Sequence, residues 1–145
     1  MFGNNPIWAF TGPAWQQALN SPGAHSMKNV GALFQSRAWQ SLVPDYPHQV
    51  VTAGFESINN ATYVPAARAS DGSMAIAYLP GGGTITVDMS RLSRSANARW
   101  YDPAGGTFTG IAGSPFTNVG SRSFTTPGTN AGGSADWVLV LEITP

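Results

Sequence analysis

Trp100-Tyr101-Asp102-Pro103-Ala104-Gly105-Gly106-Thr107-Phe108 is the stretch that decides the fold. Two aromatic-bearing runs flank Asp-Pro-x-Gly-Gly, which combines a side-chain acceptor, a fixed φ and two permissive glycines. Such a string turns the chain back on itself as a β-hairpin. Its arms extend over residues 95–102 and 107–112. Successive side chains of a strand point to opposite faces. Trp100 alternates with Ala98 and Ala96 and is expected in the core. Tyr101 alternates with Arg99 and Asn97, and these three are expected on the outer, usable face.

The same chemistry repeats on both sides of this hairpin. Asp71-Gly72 separates residues 66–70 from 73–79, a strong two-residue hairpin signal. Pro80-Gly81-Gly82-Gly83 leads into 84–89, where Ile85, Val87 and Met89 share one face. Residues 121–126 and 135–143 supply two more strands. The latter lacks polar alternation from Trp137 to Ile143 and reads as a central strand covered on both sides. About seven strands, with turn signals every 8–12 residues or so, predict a mainly β protein, an antiparallel β-sandwich over 51–145.

Residues 1–50 read as a short N-terminal α-helical extension and connector. Thr11-Gly12-Pro13 can open a helix through Trp15 and Leu19, and Ser21-Pro22 supplies a second N-cap with proline at the first helical position. Met27, Val30, Gly31 and Phe34 then recur at helical spacing. Ser36 can cap a last turn through Trp39 and Leu42. Residues 43–63, with two prolines and Asn59-Asn60, read as connector with a short strand at Val50-Val51.

Charged residues make up only 10% of the chain, and seven basic side chains balance seven acidic ones. That balance leaves no electrostatic footprint for nucleic acid or an anionic membrane. The apolar runs are too short to span a bilayer. With no cysteine, disulfide and thiol chemistry are excluded. The first residues lack the basic and apolar regions of a secretion signal.

Asp45 and His48 form the one local acid–imidazole pairing and are the candidate catalytic residues. Neither histidine has a second at metal-ligating spacing, so no metal site is assigned. Calcium is the one cofactor considered, because residues 102–106 and 129–136 are rich in Asp, Asn and carbonyl-presenting Gly. Most acids have simpler work: Asp71 and Asp102 form turns, Asp88 faces solvent and Asp136 begins a strand. Exposed aromatics can stack on sugar rings. Tyr101, Arg99, Asn97 and Tyr46 are accordingly the ligand-binding candidates.

These motifs together resemble one family. Ala67-Arg68 with Asp71-Gly72-Ser73, Tyr78-Leu79-Pro80, Val87-Asp88, Trp100-Tyr101-Asp102-Pro103 and Asp136-Trp137 are similar to the C-terminal β-sandwich of apiosidase-like glycoside hydrolases. That module carries the label of a collagen-binding domain. Trp15, Ser21-Pro22-Gly23-Ala24, Met27 and Arg37-x-Trp39-x-x-Leu42-x-Pro44-Asp45 resemble the last helical segment of the family's (β/α)8 barrel. The resemblance implies a typically exported protein. It also implies catalytic carboxylates on barrel strands that no position here matches, so none is carried over.

The expected function is a non-catalytic accessory module that contacts carbohydrate or another small-molecule ligand. The alternative is a small stand-alone hydrolase of an ester, lactone or glycoside, assisted by calcium. Trp8, Phe10, Trp15, Met27, Phe34 and Trp39 need burial that two or three brief helices do not supply. A homodimer through residues 1–45 is therefore expected.

Overall fold

A computed structural model of the chain describes residues 15–143. Two helices, α1 (Trp15–Ala18) and α2 (Pro22–Gln35), precede nine strands. These are β1 (Leu42–Pro44), β2 (Val51–Ala53), β3 (Ala66–Ala69), β4 (Met74–Leu79), β5 (Thr84–Asp88), β6 (Ala96–Asp102), β7 (Thr107–Gly110), β8 (Ser121–Thr125) and β9 (Trp137–Ile143). One sheet has the order β1-β3-β4-β9-β6-β7, the other β2-β5-β8. Every pairing is antiparallel. The architecture is a β-sandwich, as the turn spacing predicts.

All seven expected strands are present as β3 to β9. Of the other two, β2 begins at Val51, where a short strand is expected, and β1 is an addition at the start of the connector. Each is three residues long, too short for a period of two to register. β1 ends in a proline at the sheet edge, where the lost N–H costs no ladder bond.

Between the sheets lies the main core. Ala75, Ala77, Leu79, Ala98, Trp100, Leu139 and Leu141 face Val51, Ile85, Val87 and Phe124. Small alanines on β4 and β6 leave room for the two large tryptophans, Trp100 and Trp137. β9 pairs with β4 on one side and β6 on the other, and its first five residues are all buried. It is the doubly covered central strand that its composition implies.

The second layer over β9 is α2. Leu33 packs with Ile76, Tyr101, Val138 and Val140, flanked by half-buried Phe34, Leu42, Ala67 and Tyr78. Ser21 caps this helix, its Oγ accepting from Ala24 N at 3.3 Å with Pro22 next in line. The buried stripe is Gly23, Ser26 and Leu33 rather than the expected Met27–Phe34 face, and Met27 is exposed. The reason is polar. Asn29 Nδ2 donates to Pro103 O and Ala104 O at 3.0 and 2.9 Å, turning the helix toward the β6–β7 turn. Gly106 there has φ 68°, and a Cβ would sit 2.7 Å from Asn29 Oδ1. Glycine thus permits both the turn and the helix contact.

Trp39 falls in a short 3-10 turn (Trp39–Ser41), and Trp15, Met27 and Trp39 are exposed while Phe34 packs on the sheet. Trp8, Phe10 and the Thr11–Pro13 helix start lie outside the described residues. No helix among the described residues is long and apolar enough to cross a membrane.

Candidate functional site

The two outer faces of the sandwich differ in chemistry. On the smaller sheet, Thr84 pairs with Thr125 and Thr86 with Ser123 through their hydroxyls, giving a wetted face. On the larger sheet α2 covers β9 and β6 but leaves the side toward β1 open. A groove of about 540 Å³ runs there. Ala67, Ile76 and Val138 form its floor, Phe34 one wall, and Tyr46, Ile58 and Tyr63 the other. Tyr46 is 71% exposed. The groove is lined mainly by apolar side chains, with Tyr46, Tyr63 and Tyr78 among them, a pattern suited to stacking flat ligands.

Asp45 lines this groove, and His48 follows three residues on in the segment that carries the chain from β1 to β2. Asp45 is buried, and its carboxylate accepts from three backbone amides: Gln49 N at 2.8 Å, and Val50 N and Val51 N at 2.9 Å each. His48 has a positive φ of 51° and stacks its ring on Phe55, centroids 3.6 Å apart. The expected acid–imidazole pairing therefore does not form. The reason is geometric: the tight crossover turns successive amides onto the carboxylate and carries the imidazole toward Phe55.

Tyr101 corrects a second expectation. It lies on the face opposite Trp100, as alternation requires, yet it is only 2% exposed. Its hydroxyl donates to Asn29 O at 2.8 Å under α2, and burial pushes the phenol up from its ordinary range. A strand's period tells which side chains share a face and says nothing of what covers that face. Its neighbours fare differently. Asn97 is exposed, and Arg99 is partly so. Both line an open hollow of about 610 Å³ at the β6–β7 edge, together with Ser114 and Glu142. Glu142 is shared by Arg37 (Nε–Oε1 2.8 Å) and Arg99.

The loops considered for calcium pack on each other. Asp102 Oδ1 accepts from Ala104 N and Gly105 N, and its Oδ2 from Ala131 N, all at 2.8 Å. Asn130 is buried, takes Gly132 N and Ser134 N on its Oδ1, and donates to Asp136 Oδ1 at 2.7 Å. Asp136 also accepts from Tyr78 Oη at 3.1 Å. Burial and that carboxylate together push the Tyr78 phenol far up. Among the described residues no group of three or more His, Asp or Glu side chains could hold a metal ion. Asp71 and Asp88 cap turns through Ser73 N and Ser90 N. Six of the seven acids are thus held by protein donors, Glu56 being the exception.

Residues 43–142 match the family model described as "Putative collagen-binding domain of a collagenase". The chain belongs to this family. The match begins within β1 and ends in β9, so it takes in every strand of both sheets. Among solved structures, a protein titled "Glycoside hydrolase" superposes with a TM-score of 0.74 at 26% identity, over 98% of this chain and 30% of its own. A glycoside hydrolase family 5 protein from Bacteroides vulgatus ATCC 8482 gives a TM-score of 0.74 at 25% identity, over 90% of this chain and 26% of its own. No curated protein matches. The chain spans less than a third of either solved structure. It is a collagen-binding-like sandwich of the kind found with glycoside hydrolases.

Phe34 and Ile58 are the groove walls that the sequence does not reveal. Phe34 reads only as part of the apolar stripe of α2, and Ile58 lies in a connector with no periodicity to reveal its direction.

Proposed function

We propose that this chain is a non-catalytic accessory module that contacts carbohydrate through the Tyr46 groove. One juxtaposition carries the reading: the carboxylate nearest the groove is saturated by backbone amides, while the tyrosine beside it presents its ring to solvent. A glycoside hydrolase usually needs two free carboxylates facing each other across the scissile bond. The sandwich contributes a rigid, stackable surface instead, and catalysis belongs to the rest of an enzyme such as the solved relatives.

Affinity electrophoresis in gels containing soluble neutral polysaccharides tests this. Retardation should be visible and lost on Tyr46→Ala, which removes roughly 1–3 kcal/mol of ring contact. The melting temperature should not move, because the side chain is exposed. Equal mobility of wild type and variant in every gel would remove the binding claim. Hydrolysis of the same polysaccharides by the isolated chain would remove the non-catalytic one.

Assembly is a separate proposal. Exposed Trp15, Met27 and Trp39 are apolar surface that a homodimer through residues 1–45 would bury. Light scattering across a concentration range should give twice the chain mass; a constant monomer overturns it.

A further inference from the structure

We propose that the hollow beside Arg99 binds the carboxylate of an acidic sugar, a uronic acid residue of a glycan. The inference rests on the carbohydrate-contacting reading but uses a different surface. The hollow lies at the β6–β7 edge, whereas the Tyr46 groove lies toward β1 and β3.

Arg37 and Arg99 share the single carboxylate of Glu142, so the cluster holds one positive charge in excess. The chain as a whole is neutral, so this excess is local. The two guanidiniums are not equivalent. Arg37 is largely buried and spends Nη1 on Leu33 O and Ser36 Oγ at the end of α2, as well as meeting Glu142. Arg99 meets Glu142 through Nη2 alone, and its Nη1 donates to no group among the described residues, whereas Nε is buried in both arginines. A guanidinium has five donors, so Arg99 is the one with capacity to spare.

Geometry then points that capacity outward. The Arg99 guanidinium lies over the Phe108 ring, 4.4 Å from its centroid, which fixes its plane. Its side chain is 38% exposed, and it lines the hollow. Asn97, two residues earlier on the same face of β6, is exposed at the same hollow. A planar guanidinium with free N–H groups matches a carboxylate, and a neighbouring amide can both give and accept hydrogen bonds with hydroxyls. A uronic acid carries both groups on one ring. A hollow of about 610 Å³ is within the size range of small-ligand sites.

Titration calorimetry of the full chain with an alginate hexasaccharide tests the proposal, with cellohexaose and a hexaglutamate peptide as comparison arms. Alginate should bind, more weakly as salt rises from about 50 to 500 mM. Arg99→Gln should weaken it about tenfold or more. Asn97→Ala leaves both ion pairs in place and should weaken it about three- to tenfold, which keeps the test open if the first variant misfolds. The neutral-polysaccharide gels report on the Tyr46 groove and the salt-dependent alginate titration on this hollow, so failure of the groove reading and failure of this one can be told apart. Unaltered affinity in both hollow variants, or no binding of alginate, overturns the site. Cellohexaose bound as tightly and weakened equally by Arg99→Gln overturns the role of charge, and hexaglutamate bound as tightly overturns the sugar in favour of an acidic peptide.

Discussion

Replacing Asp45 by alanine is expected to lower the unfolding free energy by about 2–6 kcal/mol, leaving activity assays with nothing to report. Its carboxylate closes the crossover between the two sheets by accepting from Gln49, Val50 and Val51 amides. The Val50 and Val51 bonds are buried, and each buried donor left without a partner costs about 1–3 kcal/mol. Against a usual total of about 5–15 kcal/mol this is a large fraction. Urea unfolding followed by tryptophan fluorescence measures it, as a shift of midpoint at constant slope. Asp45→Asn keeps one acceptor oxygen and should fall in between. A loss below about 1 kcal/mol would show that water replaces the carboxylate and would sink the structural role. A general base behaves in the opposite way: its removal costs about a hundredfold or more in rate with the fold intact.

The second large effect is expected at Trp137. It is 6% exposed, starts the central strand and packs between the sheets. Its Nε1 also donates to Gly128 O at 2.7 Å, holding the loop that precedes the strand. Trp137→Ala removes the packing, leaves a cavity and frees a carbonyl, for about 3–5 kcal/mol. Trp137→Phe retains most of the ring volume, loses the hydrogen bond, and should cost about 1–2 kcal/mol. The comparison separates packing from polar contact. If both substitutions cost the same, the hydrogen bond dominates and the cavity argument fails.

Both predictions depend on features that were unequally legible. Trp137 was assigned to the core because its strand lacks polar alternation, and a strand without a wet face must be covered twice. Asp45 reads as a catalytic candidate because it lies three residues from His48. Proximity in sequence brings two side chains together only if the backbone between them permits it. Here the positive φ of His48 turns the amides that follow it, Gln49 to Val51, onto the carboxylate instead. Tyr101 shows the same limit at a strand. Alternation placed it opposite Trp100, but α2 arrives from some 70 residues away and lies over it, its Asn29 carbonyl taking the hydroxyl.

By itself, then, the sequence determined what depends on near neighbours: the Asp71-Gly72 and Asp102–Gly106 hairpins, the faces of β5 and β6, the Ser21 cap, and the sandwich these compel. Local sterics and period-two burial act over a few residues, and a few residues suffice to read them. The tertiary structure alone decided which outer face α2 covers and which way that helix turns. It also decided that Tyr46, Ile58 and Tyr63 converge on one groove while Arg37, Arg99 and Glu142 converge on another surface. These are contacts between segments far apart in the chain, set by how whole elements pack and by where buried polar groups find partners. No local pattern encodes that choice, because the same stripe of side chains can satisfy more than one neighbour until the core closes around it.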